Sequence, residues 1–383
     1  MNNHKKINIL LVGLIKDKNL GDPIIGESVE FAIKNINPNA EIEFACLDEF
    51  DQRKIFFVRI LSKLQRSFNI RPFKTLTKLY CNYFKKKLKN KDIAILVGGG
   101  LIKYRNQFFN GVLGLIEAAE EMNIPVAFNS VGVENYDNSN KKCRALKRAL
   151  VSKAVCYIST RDDINTLTQK YFDVGSNKRL VKTIDPAVLI GLKYGEYELT
   201  DNIVGIGVCR FSIFEEYGSV KTANEIRNIY IELITELLQR NHKIELFTNG
   251  SQSDNMDAKA LQDELKSRGY ILKLNIPKST KDLVMIISQY SQIIAARMHS
   301  CIIAYSLGIP TVGLVWNDKL KFWAENTNQS DRFLSEDDIN RDKIIMNMQP
   351  IDEFRLKNDN LKLSLQKEVM NNISEILKFT EIS

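Results

Sequence analysis

The residues best suited to chemistry are an arginine and a histidine two positions apart, Arg297 and His299. Arginine binds carboxylate or phosphate groups through two parallel hydrogen bonds. Histidine titrates near neutral pH and can therefore give or take a proton during a reaction. Of the other two histidines, His4 lies near the amino terminus and His242 precedes an apolar run. His299 is therefore the candidate acid or base.

The segment around this pair predicts a β-α-β unit. Apolar runs that begin at Ile293 and Thr311 flank a helix-periodic stretch at 300–307, and the pair lies in the turn before that helix. In such units, ligands bind beyond the carboxyl ends of the strands, which is where the pair falls. The helix amino terminus at Ser300 offers backbone N–H groups to an anion.

Apolar strands alternate with helix-periodic segments along both halves of the chain. The runs at 7–12 and 93–97 are nearly continuous, which is typical of parallel strands covered on both faces. A polar stretch at 192–202 separates the halves, and a fresh apolar run then leads into Arg210. The alternation predicts an α/β protein with doubly wound parallel sheets. We expect an amino-terminal domain at 1–197, a carboxyl-terminal domain at 198–345 and a helical segment at 346–383.

Glycine and aspartate motifs follow several predicted strands of the first half. Gly98-Gly-Gly100 directly follows a strand, where glycines let a ligand or another loop approach the backbone. The triplet matches neither the Walker loop nor the dinucleotide fingerprint, so it does not indicate a nucleotide site. Asp22, Asp162 and Asp185 are candidates for holding hydroxyl groups. Their structural alternatives are a helix cap, an ion pair with the preceding arginine, and a turn before proline.

The positive charge is concentrated in one window of the chain. The 383 residues carry a formal net charge of +8, yet residues 53–91 hold 13 Lys or Arg and no Asp or Glu. Apolar residues recur at helical spacing at 56–64 between the basic ones. The pattern fits a helix at an anionic membrane surface, and equally a packed amphipathic helix with a solvated basic face. No nucleic-acid-binding motif accompanies the charge, so we expect no nucleic-acid partner.

Composition narrows the location of the protein and the chemistry open to it. No apolar run approaches the roughly 20 residues that span a bilayer. The six cysteines are scattered without paired spacing, which predicts reduced thiols in a cytoplasmic protein. No ligand cluster indicates a metal site. We therefore expect a cytoplasmic protein, with peripheral attachment to the inner face of the membrane through 53–91 as the further possibility.

Taken together, these residues resemble the polysaccharide pyruvyl transferase family. The matching pieces follow one another in order over residues 7–325, and the ordered set is more specific than any single piece. Met298 departs from the leucine usual in the family, and the basic window is an insertion beyond the common pattern. The pieces are Asn19-x-Gly-Asp22-x-x-Ile25, Gly98-Gly-Gly100, Arg161-Asp162, Asp185-Pro-Ala187, Arg210, Arg297-Met-His299, Gly308-Ile-Pro310 and Lys319.

The resemblance implies two Rossmann-like domains facing a cleft, as in GT-B glycosyltransferases, with a C-terminal helix packing back across them. It implies transfer of an enolpyruvyl unit from phosphoenolpyruvate to a sugar of a cell-surface polysaccharide precursor. The products would be a pyruvate ketal and phosphate. The acceptor would be a glycan or a lipid-linked oligosaccharide, and no cofactor is expected beyond the donor substrate.

The resemblance also assigns roles to residues already singled out. The catalytic residues would be His299, Arg297 and Asp22. The donor-binding residues would be Arg210, Arg297, Ser300 and Lys319. The acceptor-binding residues would be Asn19, Asp22, Gly99, Gly100, Asp162 and Asp185.

Two other interpretations stay open. A GT-B glycosyltransferase or a sugar-nucleotide epimerase would use the same fold with a nucleotide sugar, but no acidic residue is clearly placed to bind its ribose. A family member without activity would act as a scaffold in surface-polysaccharide assembly, although the Arg/His set is intact.

Overall fold

A computed structural model describes residues 5–14, 18–47, 72–172, 178–195 and 202–381 of the chain. The apolar-periodic part of the basic window, at 56–64, therefore lies outside the described residues. The later part of the window forms a helix, Pro72–Leu88.

The chain divides into two compact units. The first takes its described residues from Met1–Lys16, Ile25–Asp185 and Glu368–Ser383, and the second from Asp17–Ile24 and Pro186–Lys367. The domain boundaries expected from the sequence remain a prediction. In this division, the short segment Asp17–Ile24 belongs to the second unit and the carboxyl-terminal segment from Glu368 belongs to the first.

The first unit contains a six-stranded sheet in the order β2-β1-β3-β4-β5-β6, and every described pairing in it is parallel. The third and fourth strands are buried along their whole length, as expected for apolar runs covered on both faces. The strands are β1 (Asn8–Gly13), β2 (Glu41–Cys46), β3 (Ile93–Val97), β4 (Val126–Val131), β5 (Val155–Thr160) and β6 (Arg179–Lys182).

Local sequence signals delimit the helices of this unit. Asn140 caps a helix by accepting hydrogen bonds from the backbone N–H groups of Lys142 and Cys143. Asn123 ends another in the left-handed conformation that asparagine tolerates. The helices are α1 (Gly21–Ile36), α2 (Pro72–Leu88), α3 (Phe109–Met122), α4 (Lys141–Leu150) and α5 (Ile164–Thr166), which continues as a π-helical turn, Leu167–Tyr171.

The second unit contains another six-stranded parallel sheet, in the order β12-β11-β10-β7-β8-β9. Ala295 pairs with Gly207 on one side and Gly313 on the other, so the carboxyl ends of three central strands lie level. The strands are β7 (Ile203–Gly207), β8 (Lys243–Phe247), β9 (Lys273–Asn275), β10 (Gln292–Ala295), β11 (Thr311–Leu314) and β12 (Phe333–Leu334). The two parallel sheets confirm the predicted α/β class.

Capping residues also mark the helices of the second unit. Thr222 and Glu225 form a reciprocal capping box at the start of one helix. The helices are α6 (Ile190–Tyr194), α7 (Ser212–Glu216), α8 (Ala223–Gln239), α9 (Gln252–Ser267), α10 (Thr280–Ser288), α11 (Met298–Ser306), α12 (Asp318–Asn326) and α13 (Arg341–Met346), with 3₁₀ turns at Pro186–Leu189 and Glu336–Asp338.

The predicted C-terminal helix is α14 (Ile351–Leu377), followed by a 3₁₀ turn, Lys378–Thr380. In the second unit, Gln366 of this helix donates to the carbonyl of Val188 over 3.2 Å. In the first unit, Asn372 donates to Oδ1 of Asn129 over 2.6 Å. Among the described residues, no helix combines the length and hydropathy needed to cross a bilayer.

Candidate functional site

The carboxyl ends of four neighbouring strands in the second sheet surround the candidate donor residues Arg210 and Arg297. Arg210 follows β7, Asn249 follows β8, Arg297 follows β10 and Trp316 follows β11. Because these strands are parallel and adjacent, their ends meet at one edge of the sheet. Ligands of doubly wound sheets bind at this edge.

Arg297 is held by a buried carboxylate. Its Nε donates to Oδ2 of Asp254 over 2.8 Å and its Nη2 to Oδ1 over 2.5 Å. Asp254, in the first turn of α9, is fully buried, whereas the Arg297 side chain is 16% exposed. Burial alone lowers the pKa of Arg297, but hydrogen bonding to Asp254 and its charge raise the pKa above the ordinary value. Arg297 is therefore a fixed cation, and its Nη1 bonds to none of the described residues.

Arg210 meets the same carboxylate through its backbone. Its N–H donates to Oδ1 of Asp254 over 3.0 Å, so one buried side chain positions both arginines. The Arg210 guanidinium turns instead to Glu216, at the end of α7. Nη1 donates to Oε1 over 2.8 Å, and Nη2 lies 2.5 Å from Oε2. The two side chains are 33% and 43% exposed, so this pair is open to solvent, unlike that of Arg297.

His299 lies in the first turn of a helix, not in the turn before it. α11 begins at Met298, two residues earlier than predicted, and Arg297 is its N-cap in an extended conformation. Sequence patterns locate helix ends only to within a residue or two, and arginine is not a usual capping residue. His299 is half-buried, and its Nε2 atom is enclosed by protein.

The contact that shapes the surroundings of His299 comes from the beginning of the chain. A Cβ atom on Gly21 would overlap Nδ1 of His299, so glycine is required for this close approach. The backbone N–H of Leu20 donates to the carbonyl of Asn249 over 3.0 Å. Oδ1 of Asn19 accepts from the N–H of Gly21 over 3.4 Å. The residues Asn19 to Asp22 of the predicted motif therefore belong to the second unit, beside the candidate acid/base, whereas the other candidate acceptor residues belong to the first unit.

The amino terminus of α11 is better suited to bind a ligand through its backbone than through the side chain of Ser300. Ser300 is buried, and its Oγ donates to Oδ1 of Asn249 over 2.5 Å. The side chain of the N-cap residue, Arg297, does not cap α11, and the amino terminus of such a helix favours an anion. Lys319 lies half-buried in the first turn of α12.

Trp316 contacts several residues at this edge of the sheet. Its Nε1 donates to the carbonyl of Ala296 over 2.6 Å, and Cζ of Arg297 lies 6.0 Å from the ring centroid. The ring of Tyr217 meets it edge to face at 4.7 Å. Trp323, the other tryptophan, is 3% exposed and belongs to the core.

The first sheet brings its glycine motif and Asp162 to one edge as well. The carbonyl of Gly99 accepts from the N–H of Gly132 over 2.8 Å, joining the loops after β3 and β4. Oδ2 of Asp162, after β5, accepts from the N–H of Val133 over 3.1 Å. A Cβ on Gly132 would lie 2.8 Å from that oxygen and 3.1 Å from the Cα of Gly100. Three strand ends thus meet through backbone groups and one carboxylate.

Asp185 is joined to Arg161 in an ion pair whose side chains are only 3% and 5% exposed. The structural alternative for Asp162 was a bond to its neighbour Arg161, but the arginine bonds to Asp185 instead. Removing one partner of such a pair leaves an uncompensated buried charge. The carboxylate of Asp185 therefore balances Arg161 within the protein.

One group of side chains among the described residues has spacing suited to a metal ion, namely Cys81, Glu117 and Glu121 between α2 and α3. Burial raises the pKa of the Cys81 thiol, which disfavours the thiolate that a metal requires. The ammonium of Lys85 pairs with Glu121. This group is therefore better suited to packing than to ligation.

Sequence reasoning missed Asn249, Gly132, Asp254 and Glu216. Asn249 and Gly132 each follow a strand as Arg297 does, so their position after a strand end could have identified them. Asp254 and Glu216 lie in helices among other charged residues, where no local pattern distinguishes them.

Comparison with known proteins agrees with this architecture. UDP-GlcNAc 2-epimerase from Methanocaldococcus jannaschii matches with a TM-score of 0.55 and 16% identity, over 89% of this chain and 91% of that chain. The enzyme of the same name from Neisseria meningitidis, bound to UDP-GlcNAc, matches with a TM-score of 0.54 and 14% identity, over 98% and 100%. Similarity at such low identity shows the fold alone, which is GT-B-like.

The sequence itself supplies the family. No curated protein matches the chain significantly. The family model described as polysaccharide pyruvyl transferase matches residues 19–318, a span that holds both sheet edges and every motif residue apart from Lys319. The chain therefore belongs to the polysaccharide pyruvyl transferase family, an enzyme family.

Proposed function

We propose that this protein transfers an enolpyruvyl unit from phosphoenolpyruvate to a sugar of a cell-surface polysaccharide precursor. Two sugar hydroxyls attack the same donor carbon and form two C–O bonds, while the bond from that carbon to the phosphate oxygen breaks. The hydroxyls lose two protons, of which one reaches the donor's methylene carbon and the other leaves with phosphate. The products are a pyruvate ketal and phosphate.

The observation that carries this proposal is the joint positioning of Arg210 and Arg297 by Asp254 at one sheet edge. Phosphoenolpyruvate has a carboxylate and a phosphate, so its site needs more than one permanent cation. Arginine suits both groups because its planar fork makes paired bonds. The uncapped amino terminus of α11 adds N–H donors beside them. In this proposal Lys319 contributes a further cation.

His299 is the proposed proton carrier. It must pass a proton to the donor's methylene carbon or take one from the attacking hydroxyl, and imidazole can do both near neutral pH. The close contact with Gly21 restricts the position of the ring. Asp22, one residue further along, is the proposed second proton acceptor.

Acceptor binding is proposed at the edge of the first sheet. Hydroxyl groups both donate and accept hydrogen bonds, and this edge offers both partners through Gly99, Gly100 and Asp162. The Arg161 charge there is neutralised by Asp185. The edge therefore suits a neutral sugar better than an anion.

Attachment to an anionic membrane would depend on the part of the basic window outside the described residues. In the described part, Lys87 and Lys91 both pair with Glu43, and Lys85 pairs with Glu121. Replacing Arg59, Lys63 and Arg66 by Gln should reduce co-sedimentation with anionic liposomes. Replacing Lys141, Lys142 and Arg148 of α4 by Gln removes the same number of charges and is the matched control. Equal binding by wild type and the triple variant would remove this part of the proposal.

The reaction is tested by phosphate release from phosphoenolpyruvate with galactosides, mannosides and N-acetylhexosamines, free and on lipid-diphosphate carriers. Acceptor-dependent release, with a product heavier by one pyruvyl ketal, is the expected result. The fold neighbours are named as UDP-GlcNAc 2-epimerases, so a nucleotide sugar is the comparison ligand. No release with any acceptor, together with a rise in melting temperature with UDP-GlcNAc, would favour nucleotide-sugar chemistry instead.

A further inference from the structure

The side chain of Glu216 occupies the face of Arg210 that a donor anion would use. Both terminal nitrogens of the guanidinium meet the two oxygens of this carboxylate, at 2.8 and 2.5 Å. Arginine binds the carboxylate or phosphate of a ligand with the same paired geometry. Oγ of Ser212 donates to Oε1 of Glu216 over 2.9 Å and orients the carboxylate.

The segment that carries Glu216 lies over the proposed donor site. The next residue, Tyr217, packs edge to face on Trp316, and that ring lies 6.0 Å from Cζ of Arg297. The backbone N–H of Arg210 bonds to Asp254, which also holds Arg297. One chain of contacts therefore links Glu216 to both proposed donor arginines.

The two arginines differ in how firmly their carboxylates are held. Asp254 is fully buried, and its departure would leave a charge uncompensated in the interior. Glu216 is 43% exposed, so its carboxylate would be rehydrated on leaving. Exposed ion pairs contribute little to stability, and exchanging such a pair for a ligand is therefore easy.

We infer that Glu216 is an internal competitor of the donor. Its carboxylate holds Arg210 in the unliganded protein, and an anionic group of phosphoenolpyruvate displaces it on binding. This inference rests on the proposed function, because it requires Arg210 to bind the donor. It makes Glu216 a residue that sets donor affinity, and its removal should tighten binding.

The test is the Kd of phosphoenolpyruvate measured by isothermal titration calorimetry, which needs no acceptor. Glu216→Gln keeps the size of the side chain but removes the charge, and it should lower the Kd about two- to five-fold, the range typical of an exposed ion pair. Glu215→Gln is the matched control, because it makes the same charge change one residue away on the same helix. It should leave the Kd close to that of wild type. Arg210→Gln should raise the Kd about ten-fold or more.

The sign of the effect distinguishes the alternatives. If Glu216→Gln weakens binding, Glu216 orients Arg210 for the donor, and the inference is overturned. An unchanged Kd, with binding still weakened by Arg210→Gln, overturns it too and leaves the proposed donor site standing. If Arg210→Gln has no effect, both the donor assignment and the inference fail. Glu216→Asp keeps the charge on a shorter side chain, so its Kd for phosphoenolpyruvate should lie between those of wild type and Glu216→Gln. This variant replaces Glu216→Gln in the test if the Gln variant folds poorly.

Discussion

The carboxyl edges of the two sheets are built alike but present different chemistry. In the first sheet, the arginine at the strand end is enclosed with Asp185, and the glycine loop and the largely buried Asp162 lie at the same edge. In the second sheet, Arg297 is also paired with a buried carboxylate, but its side chain reaches the surface. Arg210, His299 and an uncapped helix terminus lie beside it. We therefore propose that the same framework binds a neutral ligand at one edge and an anion at the other.

The two edges differ less in the number of charged residues than in the position of the carboxylates that pair with the arginines. An arginine that is buried together with its carboxylate, as Arg161 is with Asp185, forms a neutral pair away from solvent. A carboxylate that holds only one side of the guanidinium, as Asp254 does, orients the cation and leaves Nη1 for another partner.

Replacing His299 by Ala should lower acceptor-dependent phosphate release by about 10²–10⁴-fold, the usual contribution of general acid–base catalysis. The melting temperature should change little, because the side chain is only half-buried. His242→Ala, the control, should keep its activity, because His242 precedes β8 at the opposite end of the strand. Full turnover by His299→Ala would place the proton transfer elsewhere and remove the main chemical difference between the two edges.

Breaking the two buried pairs should separate stability from donor binding. Asp185→Ala removes the buried carboxylate that pairs with Arg161, and should lower the free energy of unfolding by about 3–5 kcal/mol. Asp254→Ala should reduce it by about 3 kcal/mol, since Arg297 retains some exposure. Urea unfolding measures both values. Only Asp254→Ala should also weaken phosphoenolpyruvate binding, and equal binding by the two variants would contradict the contrast. If the Ala variants do not fold, the same measurements are made on Asp185→Asn and Asp254→Asn.

Adding a methyl group at the two close-approach glycines should affect different kinetic constants. Gly21→Ala should displace His299 and lower kcat, while Gly132→Ala should disturb Asp162 and raise the KM of the acceptor. Overpacking of this kind typically lowers the free energy of unfolding by about 1–3 kcal/mol. Steady-state kinetics with both substrates distinguish the two variants. If both glycine variants changed the same constant, the separation of donor and acceptor edges would be wrong.

Ser300→Ala should produce the smallest effect. It leaves Oδ1 of Asn249 without its buried donor, which destabilises the protein by about 1–2 kcal/mol. The Kd of phosphoenolpyruvate should change less than about three-fold, since the helix is proposed to bind the anion through its backbone N–H groups. A larger loss of affinity, measured by calorimetry, would indicate that the hydroxyl itself meets the donor.

Much of the fold could be predicted because its signals are local. β3 has the predicted bounds, since it is a short apolar run that follows Asp92 and ends at the glycine triplet. The start of α11 was misplaced because the backbone conformation of Arg297, not its residue type, determines where the helix begins. The strand-end residues of the site were predictable for a similar reason, since parallel strands bring their carboxyl ends to one edge.

The class of fold, the family and the residues capable of chemistry can be recognised from the amino-acid sequence alone. Hydrophobic periodicity and an ordered set of short motifs are both readable along one chain. Which charges are available to a ligand depends on the folded chain, because ion pairs join residues that are distant in sequence. Asp254 precedes Arg297 by more than forty positions, and Gly21 reaches His299 from near the opposite end of the family match. Burial also distinguishes the ion pairs from one another. A carboxylate that is buried with its arginine stays in place, whereas an exposed carboxylate can be displaced by a ligand.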